Sequence, residues 1–307
     1  MSVVEITSLN KSYGSVNALT DINVSVSKGE IFGFIGPDGA GKTTLFRILT
    51  TLLIPDSGSA KVLGYDVVSE YKKIRPKLGY MPGKFSLYQD LSVEENLDFF
   101  ASVFGTTMSE NYELIEPIYK QLEPFNTRLA GKLSGGMKQK LALCCALIHK
   151  PELLFLDEPT TGVDAVSRKE FWDMLVSLKE QGISIVVSTP YMDEAKLCDR
   201  VALIQEGKTL QIDTPDNIVR TFKKPLLGIK AAETYPLLLA LKNYEQTHSV
   251  HPFGEFLHYT EKNENPDLET LKSYLVKQGI HDVEIESVTP NIEDSFMALM
   301  GEEANDE

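Results

Sequence analysis

The sequence predicts an α/β fold built around a phosphate-binding loop, followed by a small α+β domain. Three features carry that expectation. Gly36-Pro37-Asp38-Gly39-Ala40-Gly41-Lys42-Thr43 matches G-x-x-x-x-G-K-[ST] and lies between a strand-like run, residues 30–35, and a helix-like one, residues 45–49. Leu133-Ser134-Gly135-Gly136-Met137-Lys138-Gln139 places a serine and two glycines ahead of an apolar, helix-like stretch. Leu153-Leu154-Phe155-Leu156 is an apolar run that ends in Asp157-Glu158, as expected of a buried strand with carboxylates at its mouth.

Each element has a chemical reading. The glycines of the first let successive backbone N–H groups turn inward around phosphate oxygens, and the helix that follows points its partial positive charge at the anion. Lys42 would reach the β and γ phosphates, the Thr43 hydroxyl would hold Mg²⁺, and Thr44 completes the cofactor-binding set of residues 36–44. Asp157 would hold the same metal, and Glu158 would orient and polarise the attacking water. An acidic pair after an apolar strand can equally be a helix N-cap with first-turn charge. The N–H groups of Ser134-Gly135-Gly136 at a helix start could clamp a γ-phosphate from its far side.

Between residues 83 and 133 the pattern turns helical, with Val93, Leu97, Phe100 and Val103-Phe104 on one face. Ser92 is the expected N-cap, with Glu95 as its capping-box partner. After about residue 220 strands are expected at 226–231, 254–259 and 283–288, helices at 237–244 and 268–279, and a last helix beyond Thr289-Pro290. Residues 301–307 read as a frayed acidic tail. The domain expectation is therefore 1–220, with a helical subdomain at about 84–133, then 221–300, then the tail.

These motifs together resemble the ABC (ATP-binding cassette) ATPases. Leu133–Gln139 resembles the family's signature, with Ser134, Gly135, Gly136 and Gln139 on the nucleotide. Tyr13, in Lys11-Ser12-Tyr13-Gly14, is similar to the aromatic residue that stacks on adenine, although an aromatic there also suits edge packing. Thr161-Gly162-Val163-Asp164 resembles the D-loop, which adds Asp164 to the site. The resemblance covers residues 2 to about 215. It implies an antiparallel β subdomain, a RecA-like P-loop NTPase core and an inserted helical subdomain, with ATP and Mg²⁺ bound between two cassettes. It also implies that the helical subdomain docks a coupling helix of a membrane subunit, with Phe85, Leu87, Tyr88 and Leu91 as candidates. The C-terminal segment resembles that of drug-export cassettes in the ABC-2 group, and the whole resembles the N-terminal cassette of fused two-cassette multidrug efflux subunits.

Two departures qualify the resemblance. Where the family carries a Gln that contacts Mg²⁺ and the lytic water, this chain reads Tyr80-Met81-Pro82-Gly83; where it carries a His that contacts the γ-phosphate, the chain reads Ser188-Thr189-Pro190. Glycine has no side chain to reach the ion, and proline offers neither imidazole nor backbone donor. The expectation is a slow site here, paired with a competent partner cassette; Gln89 through a rearranged loop, or Glu158 alone, are the alternatives. A copy of the same chain is a second possible partner, and a non-hydrolysing regulatory module a second possible function.

Composition sets the surroundings. The 307 residues carry a net charge of −14. Residues 231–307 hold 16 of the 44 acidic but only 4 of the 30 basic side chains, so −12 of that charge is C-terminal. This acidity argues against a nucleic-acid partner, and so against an ABC ATPase of ribosomes or DNA. No apolar run approaches membrane-helix length and no leader is evident, so the expectation is a cytoplasmic protein, peripheral on the inner face of the cell membrane through permease subunits. Cys144, Cys145 and Cys198 fit buried thiols better than a disulfide framework. His149 reads as a solvated helix-end residue.

Overall fold

Strands buried on both faces must be apolar throughout, and three such runs pair as the centre of a six-stranded sheet. The computed structural model describes residues 1–306, with side chains through Gly301. It forms two compact units, Met1–Pro215 and a second from Asp216 onward, where the sequence placed the boundary at 220/221.

The first unit opens with β1 (Ser2–Tyr13) and β2 (Val16–Ser27), then β3 (Ile31–Ile35), α1 (Lys42–Leu49), β4 (Ser57–Val62), β5 (Tyr65–Asp66), α2 (Tyr71–Ile74) and β6 (Leu78–Met81). The helices α3 (Val93–Val103), α4 (Tyr112–Tyr119) and α5 (Gly135–Leu147) follow, then β7 (Leu153–Asp157), α6 (Ala165–Glu180), β8 (Ser184–Thr189), β9 (Arg200–Gln205) and β10 (Lys208–Asp213). One sheet, of order β2-β1-β4-β5, is antiparallel. The other has the order β10-β9-β3-β8-β7-β6, parallel except for β10. A single core joins them, in which Phe32, Phe34, Phe46 and Phe155 meet edge to face at 5.2–5.9 Å between ring centroids. The parallel register sets Ile35 beside Thr189, Ser188 beside Asp157 and Leu156 beside Met81. Everything that leaves the C-terminal ends of β3, β8, β7 and β6 therefore leaves on one edge.

In α3 the capping box of Ser92 and Glu95 is formed on both sides. The buried face differs from the one expected: it is Val93, Asn96, Leu97 and Ala101, while Val103 and Phe104 are exposed. The reason is Asn96. Its buried amide bonds the backbone of Tyr88, Leu91 and Ser92, so a polar residue holds a core position that an apolar count passes over.

The second unit comprises α7 (Pro215–Thr221), which spans the boundary, then β11 (Leu227–Lys230), α8 (Thr234–Asn243), β12 (Thr247–Phe253), β13 (Phe256–Glu261), α9 (Leu268–Lys277), β14 (Glu284–Ser287) and α10 (Ile292–Asp306). Its antiparallel sheet, β12-β13-β11-β14, buries Ile229, Leu257 and Tyr259 against Leu237, Leu241, Leu271 and Leu275 of α8 and α9. The strand β12 was not expected. It contains Pro252, which lacks a donor and is tolerated because β12 lies at the sheet edge. Gly254, at φ 60°, turns the chain into β13 two residues later than the sequence suggested. The backbone of α10 continues to Asp306, through the stretch expected to fray; Glu307 lies outside the described residues. Among the described residues no helix is long and apolar enough to cross a membrane.

Candidate nucleotide site

The loop from Gly36 to Gly41 is shaped by what surrounds it. A Cβ on Gly36 would stand 2.0 Å from the Ile204 carbonyl oxygen, and one on Gly41 would stand 2.3 Å from that of Ala18. Gly41, at φ 99°, is the N-cap of α1, a left-handed conformation that glycine adopts without strain. The helix thus starts directly under the loop with no side chain capping its first N–H groups.

Lys42 is 3% exposed, and its Nζ donates to the carbonyls of Gly36 and Pro37, both at 2.8 Å. Glu158 Oε1 stands 3.4 Å from the same nitrogen. A buried ammonium whose close partners are loop carbonyls can exchange them for phosphate oxygens, which suits the chemistry expected of it. The Thr43 hydroxyl lies 3.3 Å from Oδ1 of Asp157, so two hard oxygen donors converge where Mg²⁺ is expected. Asp157 ends β7 and is 1% exposed. No helix starts at Asp157-Glu158; α6 begins at Ala165 with Asp164 as its cap, which removes the N-cap alternative for the acidic pair.

Glu158 adopts φ 50°, a left-handed conformation unusual for a side chain of its kind. Its N–H is held by both the carbonyl (3.0 Å) and the hydroxyl (3.1 Å) of Ser188. Gly83 follows β6 at the same edge: a Cβ there would be 3.1 Å from the Asp157 carbonyl oxygen and 3.7 Å from Oδ2. A longer residue at 83 would therefore extend beside the Asp157 carboxylate. Burial, aided by the charge of Asp157, pushes the Tyr80 phenol up to about 12, so it stays protonated.

Pro190 follows β8 in a tightly tied turn. Thr189 Oγ1 donates to the buried Glu194 (2.6 Å) and accepts from Tyr191 N–H (3.1 Å). Glu194 also accepts from Thr160 Oγ1 at 2.8 Å and from Arg168 at 3.0 and 3.1 Å, and Arg168 lies over the Tyr191 ring. These contacts join the turn to the segment after Glu158 and to α6. Ser188, Thr160, Arg168 and Glu194 all escaped the sequence reading; the spacing of Thr189 and Glu194 after an apolar strand was the available signal.

Ser134 caps α5, its Oγ accepting from Met137 N–H at 3.4 Å. Ser134 and Gly135 are exposed. Gly136 packs on α6, where a Cβ would meet Ser167 Oγ at 2.7 Å, and Gly135 faces the Gly162 carbonyl. The signature-like and D-loop-like segments are thus neighbours. The Asp164 carboxylate accepts from the N–H groups of Ser167 and Val166, and these bonds hold it below the usual range. Tyr13 is half-exposed at the end of the β1–β2 hairpin, whose returning strand touches Gly41 through Ala18. Gln139, expected on the nucleotide of an opposing cassette, lines an apolar groove of about 360 Å³ with Met81, Phe85, Leu87, Phe100 and Phe104. Tyr88 and Leu91 are not among its lining residues, so two of the four docking candidates face it.

His149 is not a solvated helix end. Its ring stacks on Phe104 at 3.7 Å and its Nε2 lies 3.1 Å from the Leu78 carbonyl, with burial lowering its pKa. Cys144, Cys145 and Cys198 are free and buried, and burial pushes all three thiols up.

Three comparisons bear on this geometry. The family model described as ABC transporter matches residues 19–161. The chain is 44% identical over 219 residues to the "Probable multidrug ABC transporter ATP-binding protein YbhF" of Escherichia coli (strain K12), covering 71% of this chain and 38% of that protein. It is 33% identical over 309 residues to the "Nod factor export ATP-binding protein I" of Sinorhizobium fredii, covering 99% of this chain and 87% of that one. Among solved structures, an ATP-binding cassette in a dimeric, post-hydrolysis state bound to ADP and Pi superposes with a TM-score of 0.62 at 26% identity, over 69% of this chain and 98% of its own.

Proposed function

The chain belongs to the ABC transporter family of ATP-binding proteins, and from that premise we propose that it powers an ABC-2 type exporter by binding ATP against a second cassette. The observation that carries the reading is the single edge at which Lys42, Thr43, Asp157, Glu158, Gly83 and Pro190 converge. Relatives named for multidrug transport and Nod factor export support the exporter class. The chain spans only 38% of the length of the E. coli relative.

In this reading Thr43 and Asp157 hold Mg²⁺, which when bound neutralises charge on the transferring phosphoryl group. Lys42 and the N–H groups at the start of α1 orient the phosphates, and Glu158 aligns and polarises the attacking water. Gly83 and Pro190 supply no polar side chain that would reach Mg²⁺, the lytic water or the γ-phosphate, so turnover at this site is slow. Ser134 and the glycines after it serve the site of the opposite cassette, where the complete machinery resides. ATP draws the pair together, hydrolysis releases it, and the groove at Phe85 and Phe104 transmits the cycle to a membrane subunit. In the same reading the protein works in the cytoplasm, on the inner face of the cell membrane.

The test is steady-state Mg-ATPase turnover of the chain alone, beside the Gly83→Gln, Pro190→His double variant, with bound nucleotide quantified in each sample. Binding with negligible turnover, rescued by the double substitution or by an added partner cassette, is the expected result. Brisk turnover by the unaltered chain, abolished by Glu158→Gln, would overturn the impaired site and favour a homodimer. Binding with no turnover in any combination would favour the regulatory module.

A further inference from the structure

We propose that Ser188 is a positioning residue of the nucleotide site, one hydroxyl that aims the metal carboxylate of Asp157 and pins the backbone of Glu158. The inference rests on the ATP-site reading above and assigns a role to a residue outside the loop, signature and carboxylate motifs. Ser188 is fully buried next to the end of β8, in parallel register with Asp157 on β7. Its Oγ donates to Asp157 Oδ1 at 2.6 Å and accepts the Glu158 N–H at 3.1 Å. The two acts are complementary: the hydroxyl proton is committed to the carboxylate, which leaves the oxygen lone pairs to the amide.

Asp157 depends on this bond more than a carboxylate usually would. Its side chain accepts hydrogen bonds from Thr43, at 3.3 Å, and from Ser188, which is much the shorter. Both reach Oδ1. On the other side lies Gly83, which carries no side chain to support Oδ2. Ser188 therefore fixes the carboxylate rotation that leaves Oδ2 free toward the space beside residue 83. The Glu158 backbone, at φ 50°, persists only where its surroundings hold it, and its N–H points at the hydroxyl and carbonyl of the same serine. Removal of the hydroxyl frees the orientation of Asp157 and loosens Glu158 together, while the loop carbonyls that hold Lys42 and the close approaches at Gly36 and Gly41 are built from other contacts.

The readout follows from that separation. ATP affinity is measured for the unaltered chain, Ser188→Ala and Ser188→Thr, each with excess Mg²⁺ and with EDTA, alongside thermal melting. Ser188→Ala should lose about tenfold in Mg-ATP affinity, as expected for a lost hydrogen bond to a charged group, and bind metal-free ATP as before. Ser188→Thr, which keeps a hydroxyl, should restore the magnesium-dependent gain. Equal affinities for Ser188→Ala and the unaltered chain in magnesium would overturn the assignment. So would an equal loss in both buffers, or equal losses for the alanine and threonine variants, either of which marks a packing role. If the unaltered chain binds ATP in neither buffer, the ATP-site reading itself falls, and the assignment falls with it.

Discussion

The Lys42 ammonium is buried with two carbonyls and one carboxylate near it, so its removal takes a basic group away from the loop. Lys42→Ala is expected to reduce ATP affinity below detection in equilibrium binding with the fold intact by circular dichroism; unchanged affinity would refute the phosphate-loop assignment. Gly41 makes a different prediction. At φ 99° with Ala18 O in the way, Gly41→Ala should destabilise the chain by at least about 2 kcal/mol in chemical denaturation, because strain and collision act together. At this scale most of the candidate site was legible. Phosphate chemistry needs fixed residue types at fixed spacing, and residues 36–44, Asp157 and Glu158 stand in sequence as they stand in space. Ser188 and Glu194 were not legible, since a serine or glutamate in a buried network looks like any other until its partners are known.

At the scale of the element, α3 shows how local rules succeed and where they stop. The capping box is a local feature, and it forms as read. Ser92→Ala should cost about 1 kcal/mol in urea unfolding, and a double cycle with Glu95→Ala should show that the two losses are not additive. The buried face of the same helix was misjudged because Asn96 takes a core position by bonding backbone from the preceding loop, a tertiary circumstance. The edge strand β12 was missed for a related reason: Pro252 argues against a strand unless its neighbours leave one side unpaired. Strands β3 and β7 were the opposite case, since burial on both faces writes itself as an unbroken apolar run.

At the scale of the whole molecule, function is divided between faces. The phosphate loop and carboxylates are proposed to serve this chain's own nucleotide, and Ser134 and Gly135, exposed at the start of α5, another's. Ser134→Arg should accordingly leave ATP affinity of the isolated chain unchanged and suppress turnover of the assembled pair by at least about tenfold. Full activity of a complex carrying that substitution would refute the trans-acting role. The contact of Gly136 with Ser167 ties this face to α6, so the signature-like and D-loop-like segments present themselves together.

The sequence by itself determined the family and the α/β class with its ATP-binding loop, and it named the residues proposed to hold phosphate and metal. It could do so because these depend on contiguous motifs whose chemistry tolerates little variation. By its resemblance to the family it also set Gly83 and Pro190 where polar switches are expected. Only the tertiary structure decided that Gly83 faces Asp157, that Glu158 is held in a strained conformation by Ser188, that Gln139 and His149 line an apolar groove, and that Glu194 binds the turn after β8 to α6. Those contacts join residues far apart in the chain, and their geometry is fixed by parallel strand register and close packing, which no local pattern of residues encodes.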